Sequence, residues 1–236
     1  MGETLSEQIL RENGAVLDAM VNHRFVQDVR ENRLPKIVFE RYLVYEGAFV
    51  ETAISIFAFA TAKAETIAQK RWLIGVLVAL ANQQIAYFEK TFAARGIDPA
   101  SFDTGIPDVA AFQDGMLAIA RDGGYLDTIA AMFAAEWMYW TWCRQASGRT
   151  IGDPLLKEWV DLHAHEDFAA QALWLKAELD AAGLHLDRSE RARLSGIFGK
   201  AQQLEIAFHD APYLDARERA IRNDGADPDG VPLRYL

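Results

Sequence analysis

Four ionisable side chains interrupt four apolar stripes in this chain. Over 36–63, Phe39, Tyr42, Leu43, Phe49, Val50, Ala53 and Phe57 recur at helical spacing around Glu46, and over 125–147 Ile129, Met132, Phe133, Trp140 and Cys143 flank Glu136. Over 154–182, Leu156, Trp159, Val160, Ala170 and Leu173 surround His163, with Asp167 four residues on, and over 188–209 Phe198, Ala201 and Phe208 surround Glu205. An ionisable group on an apolar face is destabilising unless it is paired or used. Taken singly, each has an ordinary reading: a Glu paired to a nearby cation such as Arg41 or Arg144, or one at the stripe's edge with its head in water. Taken together, the four stand near the middle of four helices, and antiparallel packing brings such mid-points to one level of a bundle. The pattern predicts an interior pocket with groups able to take and give protons. Tyr42, Tyr45, Phe49, Trp137, Tyr139 and Trp140 are candidates to wall it around a flat heterocycle, although an aromatic stripe serves equally as core.

Other chemistries fail on specifics. No GxGxxG or GxxxxGK[ST] offers a phosphate cradle, and no GxSxG elbow presents a nucleophilic Ser. A di-iron centre in a helical bundle uses Glu and Glu-x-x-His, and no Glu-x-x-His occurs. His163, His165 and Glu166 have ligand-like types, but residues two apart on a helix do not face each other. Cys143, one heptad beyond Glu136, has no His placed to deprotonate it and reads as a small buried hydrophobe. No metal and no cofactor is expected.

The elements that must position these groups are helical throughout, because apolar spacing of three and four recurs almost everywhere and period-two alternation does not. Helices are predicted over 5–20, 23–31, 36–63, 66–95, 108–121, 125–147, 154–182 and 188–209. Pro35, Pro107 and Pro154 suit first turns, Asp153 suits a cap, and Asp187 with Glu190 resembles a capping box. Gly96, Gly123 and Gly183 are expected in left-handed caps. No repeat or linker divides the chain, so residues 1–236 are read as one all-α domain, a helical bundle with its core over about 5–213. The tail from 214 to 236 reads as turn-rich loop, with Leu233 to Leu236 frayed or docked as a plug.

Composition narrows the partners. The 236 residues are 51% hydrophobic and carry 24 basic against 34 acidic side chains, a formal net charge of −10. A nucleic-acid partner is not expected, since phosphate binding needs clustered Lys and Arg. No membrane partner is expected either: the longest apolar run, Trp72 to Ala81, falls short of the ~20 residues a bilayer requires. The start MGETLSEQIL lacks the features of a secretory signal, its Gly2 and Ser6 match a myristoylation pattern by chance, and the single Cys143 leaves no mark of an oxidising compartment. The expectation is a cytoplasmic protein.

Three segments, FERYLVYEGAF at 39–49, AAMFAAEWMYW at 130–140 and LEIAFHDAPY at 204–213, resemble the signature helices of the TenA family of thiaminase II-like proteins. The similarity spans roughly Leu5 to Tyr213. It implies the haem-oxygenase-like fold, a homotetramer and an aminopyrimidine pocket inside each bundle. Carried over by position, the resemblance makes Glu205 a proton donor and acceptor, and it places Glu46 where the family usually has an Asp that pairs with the pyrimidine edge. Phe49 and His163 take places usually held by Tyr, and Gln113 is a looser match to a third. Glu136 stands where the main branch has its catalytic Cys, the Pro-Cys pair reading Ala135-Glu136 here, as in a Glu-bearing branch. A di-iron branch of the fold would want His where Ala53 and Ala170 stand.

The resulting expectation is a hydrolase in thiamin salvage acting on formylaminomethyl- or aminomethyl-aminopyrimidine. Glu136 and Glu205 are its catalytic pair, and Glu46, Phe49, Tyr42, Gln113, Tyr139, Trp140 and His163 its substrate-binding residues. A non-catalytic pyrimidine or heterocycle binder and, less favoured, a di-metal oxidase stay open as alternatives.

Overall fold

The structure, a computed structural model, describes residues 2–214. Within them the chain is a helical bundle without strands: α1 (Leu5–Glu12), α2 (Gly14–Val21), α3 (Arg24–Arg30), α4 (Lys36–Lys63), α5 (Ile67–Val78), a π-helical segment (Ala79–Gln84), α6 (Ile85–Arg95), α7 (Pro107–Asp122), α8 (Tyr125–Ala146), α9 (Pro154–Ala164), α10 (Glu166–Gly183) and α11 (Arg188–Asp210), with 3₁₀ turns at Pro99–Ser101 and Ala211–Tyr213. The expected plug at Leu233 to Leu236 lies outside the described residues.

Helix α8 is the centre. Asp127 through Ala135 are buried without interruption, the mark of a helix enclosed on all sides, and α4, α7, α9, α10 and α11 pack around it. Helix α4 is long and apolar enough by length and composition to cross a bilayer, but its Phe39, Tyr42, Leu43, Val50 and Phe57 are core residues. It runs antiparallel to α8: Lys63 at its end donates Nζ to the carbonyls of Ala120, Arg121 and Gly123, immediately before α8 begins. Those oxygens are the unsatisfied acceptors of the α7 terminus, which a cation stabilises.

Three predicted helices are broken where the sequence pattern runs on. The 5–20 stretch divides at Asn13, whose side-chain amide donates to the Ser195 carbonyl at 3.1 Å and so ties the break to α11. The 66–95 stretch passes through the π-helical Ala79–Gln84. The 154–182 stretch ends and restarts at His165, whose ring accepts from the Asp167 N–H and caps α10. Asp153 and the Asp187–Glu190 box cap as expected. Of the three glycines expected in left-handed caps, only Gly96 has that conformation, with φ 67°. Gly123 is extended, and small size is what its place demands, because a Cβ there would meet the Ile119 carbonyl at 2.6 Å. Gly183 ends α10 without turning left-handed, and a Cβ on it would strike Leu5 at 2.6 Å, where α1 approaches.

Candidate functional site

A cavity of about 500 Å³ opens between α4, α5, the π segment, α6, α7, α8, α9, α10 and α11. Glu46, Glu136, His163 and Glu205 all line it. The four interruptions therefore do converge, Glu46 and Glu136 from within α4 and α8, Glu205 from the last turns of α11 and His163 from the end of α9.

Glu46 is buried on α4. Its Oε2 accepts a 2.8 Å hydrogen bond from the Trp159 indole N–H of α9, and its Oε1 lies 3.8 Å from His163 Nε2, beyond hydrogen-bond reach. Burial pushes its carboxyl up to about 8, against the opposing pull of the Trp159 donor. Glu136 on α8 accepts from Gln171 Nε2 of α10 at 2.8 Å through Oε1, while Oε2 is buried without a partner. Burial likewise raises it to about 8, with the Gln171 donor working downward. Glu205 on α11 is fully buried, and neither of its oxygens has a hydrogen-bond partner of good geometry. Its carboxyl is driven well above the ordinary range by burial first, then by the charges of Glu46 and Glu136, with the Tyr139 hydroxyl opposing. Desolvation disfavours the ionised form, and neighbouring carboxylates compound the effect.

Among the described residues, none of the three carboxyls has a cationic side-chain partner. Arg41 instead donates to the carbonyls of Pro212 and Leu214, and Arg144 lies over the Trp140 ring. The ordinary reading of a Glu paired to Arg41 or Arg144 therefore does not describe these residues.

His163 Nδ1–H donates to the Trp159 carbonyl at 2.8 Å, which leaves Nε2 as an acceptor at the cavity wall. Burial lowers its pKa to about 4, so the ring is neutral. Behind Glu205 on the same helix, His209 is neutral for the same reason, at about 3.

The aromatic residues divide. Phe49, Tyr139, Trp159 and Phe112 line the cavity. Five residues expected in its wall, Tyr42, Tyr45, Trp137, Trp140 and Gln113, do not; Tyr45 is buried in the core and Trp137 packs on Phe133 at 5.3 Å. Tyr42 stands one layer behind, fully buried, its hydroxyl 2.8 Å from that of Tyr139. Trp140 packs edge-on to Trp137 beneath Arg144, because the ~100° turn between successive helical residues that aims Tyr139 inward aims its neighbour away. On α7 the adjacent Phe112 takes the cavity-facing position in place of Gln113, packing on Phe49 at 4.5 Å. Sequence reasoning missed Gln171 and the part played by the Trp159 N–H. Both come from helices remote in sequence from the carboxyls they hold. The π segment, which adds Ala79, Leu80, Gln83 and Gln84 to the wall, was missed as well. Cys143 is buried and off the cavity lining, with its thiol held protonated by burial. Ala53 lines the cavity, and among the described residues no group of three His, Cys, Asp or Glu is placed to hold a metal ion.

A sequence profile of the TENA/THI-4/PQQC family matches residues 14–216, and the protein belongs to that family. Among curated relatives, an aminopyrimidine aminohydrolase of Halalkalibacterium halodurans is 28% identical over 203 residues, covering 84% of this chain and 90% of the relative. An aminopyrimidine aminohydrolase of Helicobacter pylori is 20% identical over 213 residues, covering 89% and 98%. Of solved structures, a TenA homologue from Pyrococcus furiosus superposes with a TM-score of 0.81 at 21% identity, covering 89% of this chain and all of the other. A Shewanella denitrificans domain with a heme oxygenase-like fold gives 0.67 at 14% identity, covering 97% of each. The fold is thus the haem-oxygenase-like bundle.

Proposed function

We propose that the protein hydrolyses a C–N bond on the substituent of an aminopyrimidine, a formylaminomethyl- or aminomethyl-aminopyrimidine of thiamin breakdown. The observation that carries the reading is the meeting of buried Glu46 and Glu205 with half-buried Glu136, without a cation among the described residues beside them, in one aromatic-walled cavity. The names of the two curated relatives support it.

An aminopyrimidine presents a ring nitrogen beside an exocyclic amine. A protonated Glu46 donates to the nitrogen with one oxygen and accepts from the amine with the other, and transfer of the proton to the ring turns the contact into a charge-assisted pair. Fixed by Trp159, Glu46 is the clamp. Glu136 and Glu205 then share the proton work at the substituent: one, ionised, takes a proton from the attacking water, and the other, protonated, gives one to the departing nitrogen. Such a division needs pKa values pushed apart by environment. With Glu136 where a Cys nucleophile would stand, water attacks directly and no covalent intermediate forms. On this reading the chain is one of a Glu-bearing branch of the family.

Phe49, Tyr139 and His163 complete the substrate wall in this reading, with Tyr42 supporting Tyr139 from behind. The reading extends to thiamin salvage in the cytoplasm and to a homotetramer. Support for the assembly comes from an apolar surface where Trp72 stacks on Trp174 at 5.4 Å beside exposed Ile74, Val78 and Leu173; light scattering reads its mass. The test of function is incubation of the pure protein with the two pyrimidines while following formate and ammonia. Release of either supports the reading. Tight pyrimidine binding without release makes the protein a binder instead, and neither binding nor release removes the pyrimidine altogether.

A further inference from the structure

The cavity is longer than the ring that the carboxyls would hold. Its α4 wall includes Glu46, Val50, Ala53 and Phe57, which at 1.5 Å per residue extends about 16 Å along the helix. A single substituted ring fills less than half of that. Charge is confined to one part of this length. On antiparallel α8, Glu136 faces the Glu46 end, and Met132, one turn nearer the α8 N-terminus, faces the Phe57 end. Beyond Glu136 the lining consists of Val50, Ala53, Phe57, Met132, Val76, Ala79 and Leu80, all buried except the half-buried Ala79 and Leu80. The π segment helps to form this arm, presenting both Ala79 and Leu80 to it; π turns of this kind gather at functional sites.

We infer that this apolar arm is a second subsite, continuous with the carboxyl site, that takes an uncharged acyl or alkyl chain carried on the pyrimidine's substituent. The inference rests on the proposed pyrimidine reading for where the ring sits. The arm lies on the far side of Glu136 from the Glu46 clamp, so a chain leaving the ring past Glu136 enters it directly. Its chemistry excludes a charged tail, because none of the described residues that line it is charged and burial of an unpaired charge is strongly unfavourable. The substrates that use the arm are N-acyl aminomethylpyrimidines longer than the formyl compound, and their kcat/KM rises with chain length until the arm is full.

The test uses unreactive probes, a series of 4-amino-5-alkylpyrimidines from methyl to pentyl, with calorimetric titration of the full-length protein. Each methylene that enters an apolar arm should tighten Kd about fourfold, and replacing the terminal carbons by a trimethylammonium group should abolish the gain. Ala53→Phe, which fills the arm, and Leu80→Gln, which makes it polar, should each flatten the dependence on chain length. Leu80 is the less buried of the two, so its variant serves if Ala53→Phe does not fold. A Kd that is constant or weakens from methyl to butyl in the wild type overturns the arm while leaving the pyrimidine reading intact. A series in which no member binds overturns both. An equal gain from the cationic tail overturns the assignment to an uncharged chain.

Discussion

Buried carboxyl groups occur in two settings in this protein. Asp28 and Asp127 are at least as buried as Glu46, but each is held by partners. Asp28 takes a 2.7 Å ion pair from Arg33 and a 2.7 Å hydrogen bond from the Tyr213 hydroxyl. Asp127 pairs with Arg193 and caps α8 by accepting from the Gly124 N–H at 2.7 Å. Glu46 and Glu136 have one neutral donor each, and Glu205 has no donor of good geometry. Burial alone therefore does not mark function: a satisfied carboxylate stabilises the fold, whereas an unpaired one is tolerated where a ligand or a proton completes it.

The largest expected effect breaks the comparison on the functional side. Glu136→Gln keeps size and hydrogen-bonding reach but ends proton transfer, so kcat should fall by about 10²–10⁴-fold with pyrimidine affinity little changed. Glu205→Gln should resemble it, and the double variant should lose far less than the product of the two losses, because groups acting as one unit are not additive. Steady-state kinetics paired with calorimetric binding reads both. Asp28→Asn should do the reverse, leaving turnover intact and lowering stability by roughly 1–3 kcal/mol in denaturant unfolding as the Arg33 pair is lost.

Stability against pH sharpens the contrast. Glu46 and Glu136 have folded-state pKa values raised to about 8, above their unfolded values. Their protonated forms therefore favour folding fully below the unfolded pKa, and that stability is lost as pH rises through about 8. Without ligand, Glu46→Gln and Glu136→Gln should each be more stable than wild type by roughly 1–3 kcal/mol near pH 9, with the advantage shrinking toward pH 5. An Asp28→Asn variant should show no such gain. Differential scanning calorimetry across that range decides it.

A smaller effect concerns Gln171, whose donor favours ionised Glu136. Gln171→Leu should move the acid limb of the rate profile upward by about one pH unit, so that raising the pH restores activity. A uniform loss at every pH would give Gln171 a packing role only.

Much of this was legible in the sequence because an ionisable group in an apolar stripe violates periodicity, and such violations at Glu46, Glu136, His163 and Glu205 can be read residue by residue. Mid-helix position with antiparallel packing accounts for the meeting of Glu46 and Glu136, whereas His163 arrives from the end of α9 and Glu205 from the last turns of α11. Tertiary contacts decided the rest. The break at Asn13 is tied to α11 by a bond no local pattern encodes, and the π segment keeps an ordinary helical composition. At His165 the acidic Glu166 and Asp167 that follow were a legible start signal. Trp140 and Gln113 show the limit of face assignment: each is the sequence neighbour of a residue that does line the cavity, and a rotation of ~100° separates the two. Gln171 and the Trp159 N–H carried no signal, since a hydrogen-bond partner on another helix has no fixed offset in sequence.

The cavity carboxyls are held protonated and without a cationic partner until a pyrimidine arrives, and infrared difference spectroscopy reads this directly. Near pH 7 the ligand-free protein should show protonated-carboxyl stretches that titrate at about 8, lose intensity in Glu46→Gln and Glu136→Gln, and change when an aminopyrimidine binds. Cavity carboxyls that titrate in the ordinary range of about 4–5 and do not respond to the pyrimidine would contradict the account.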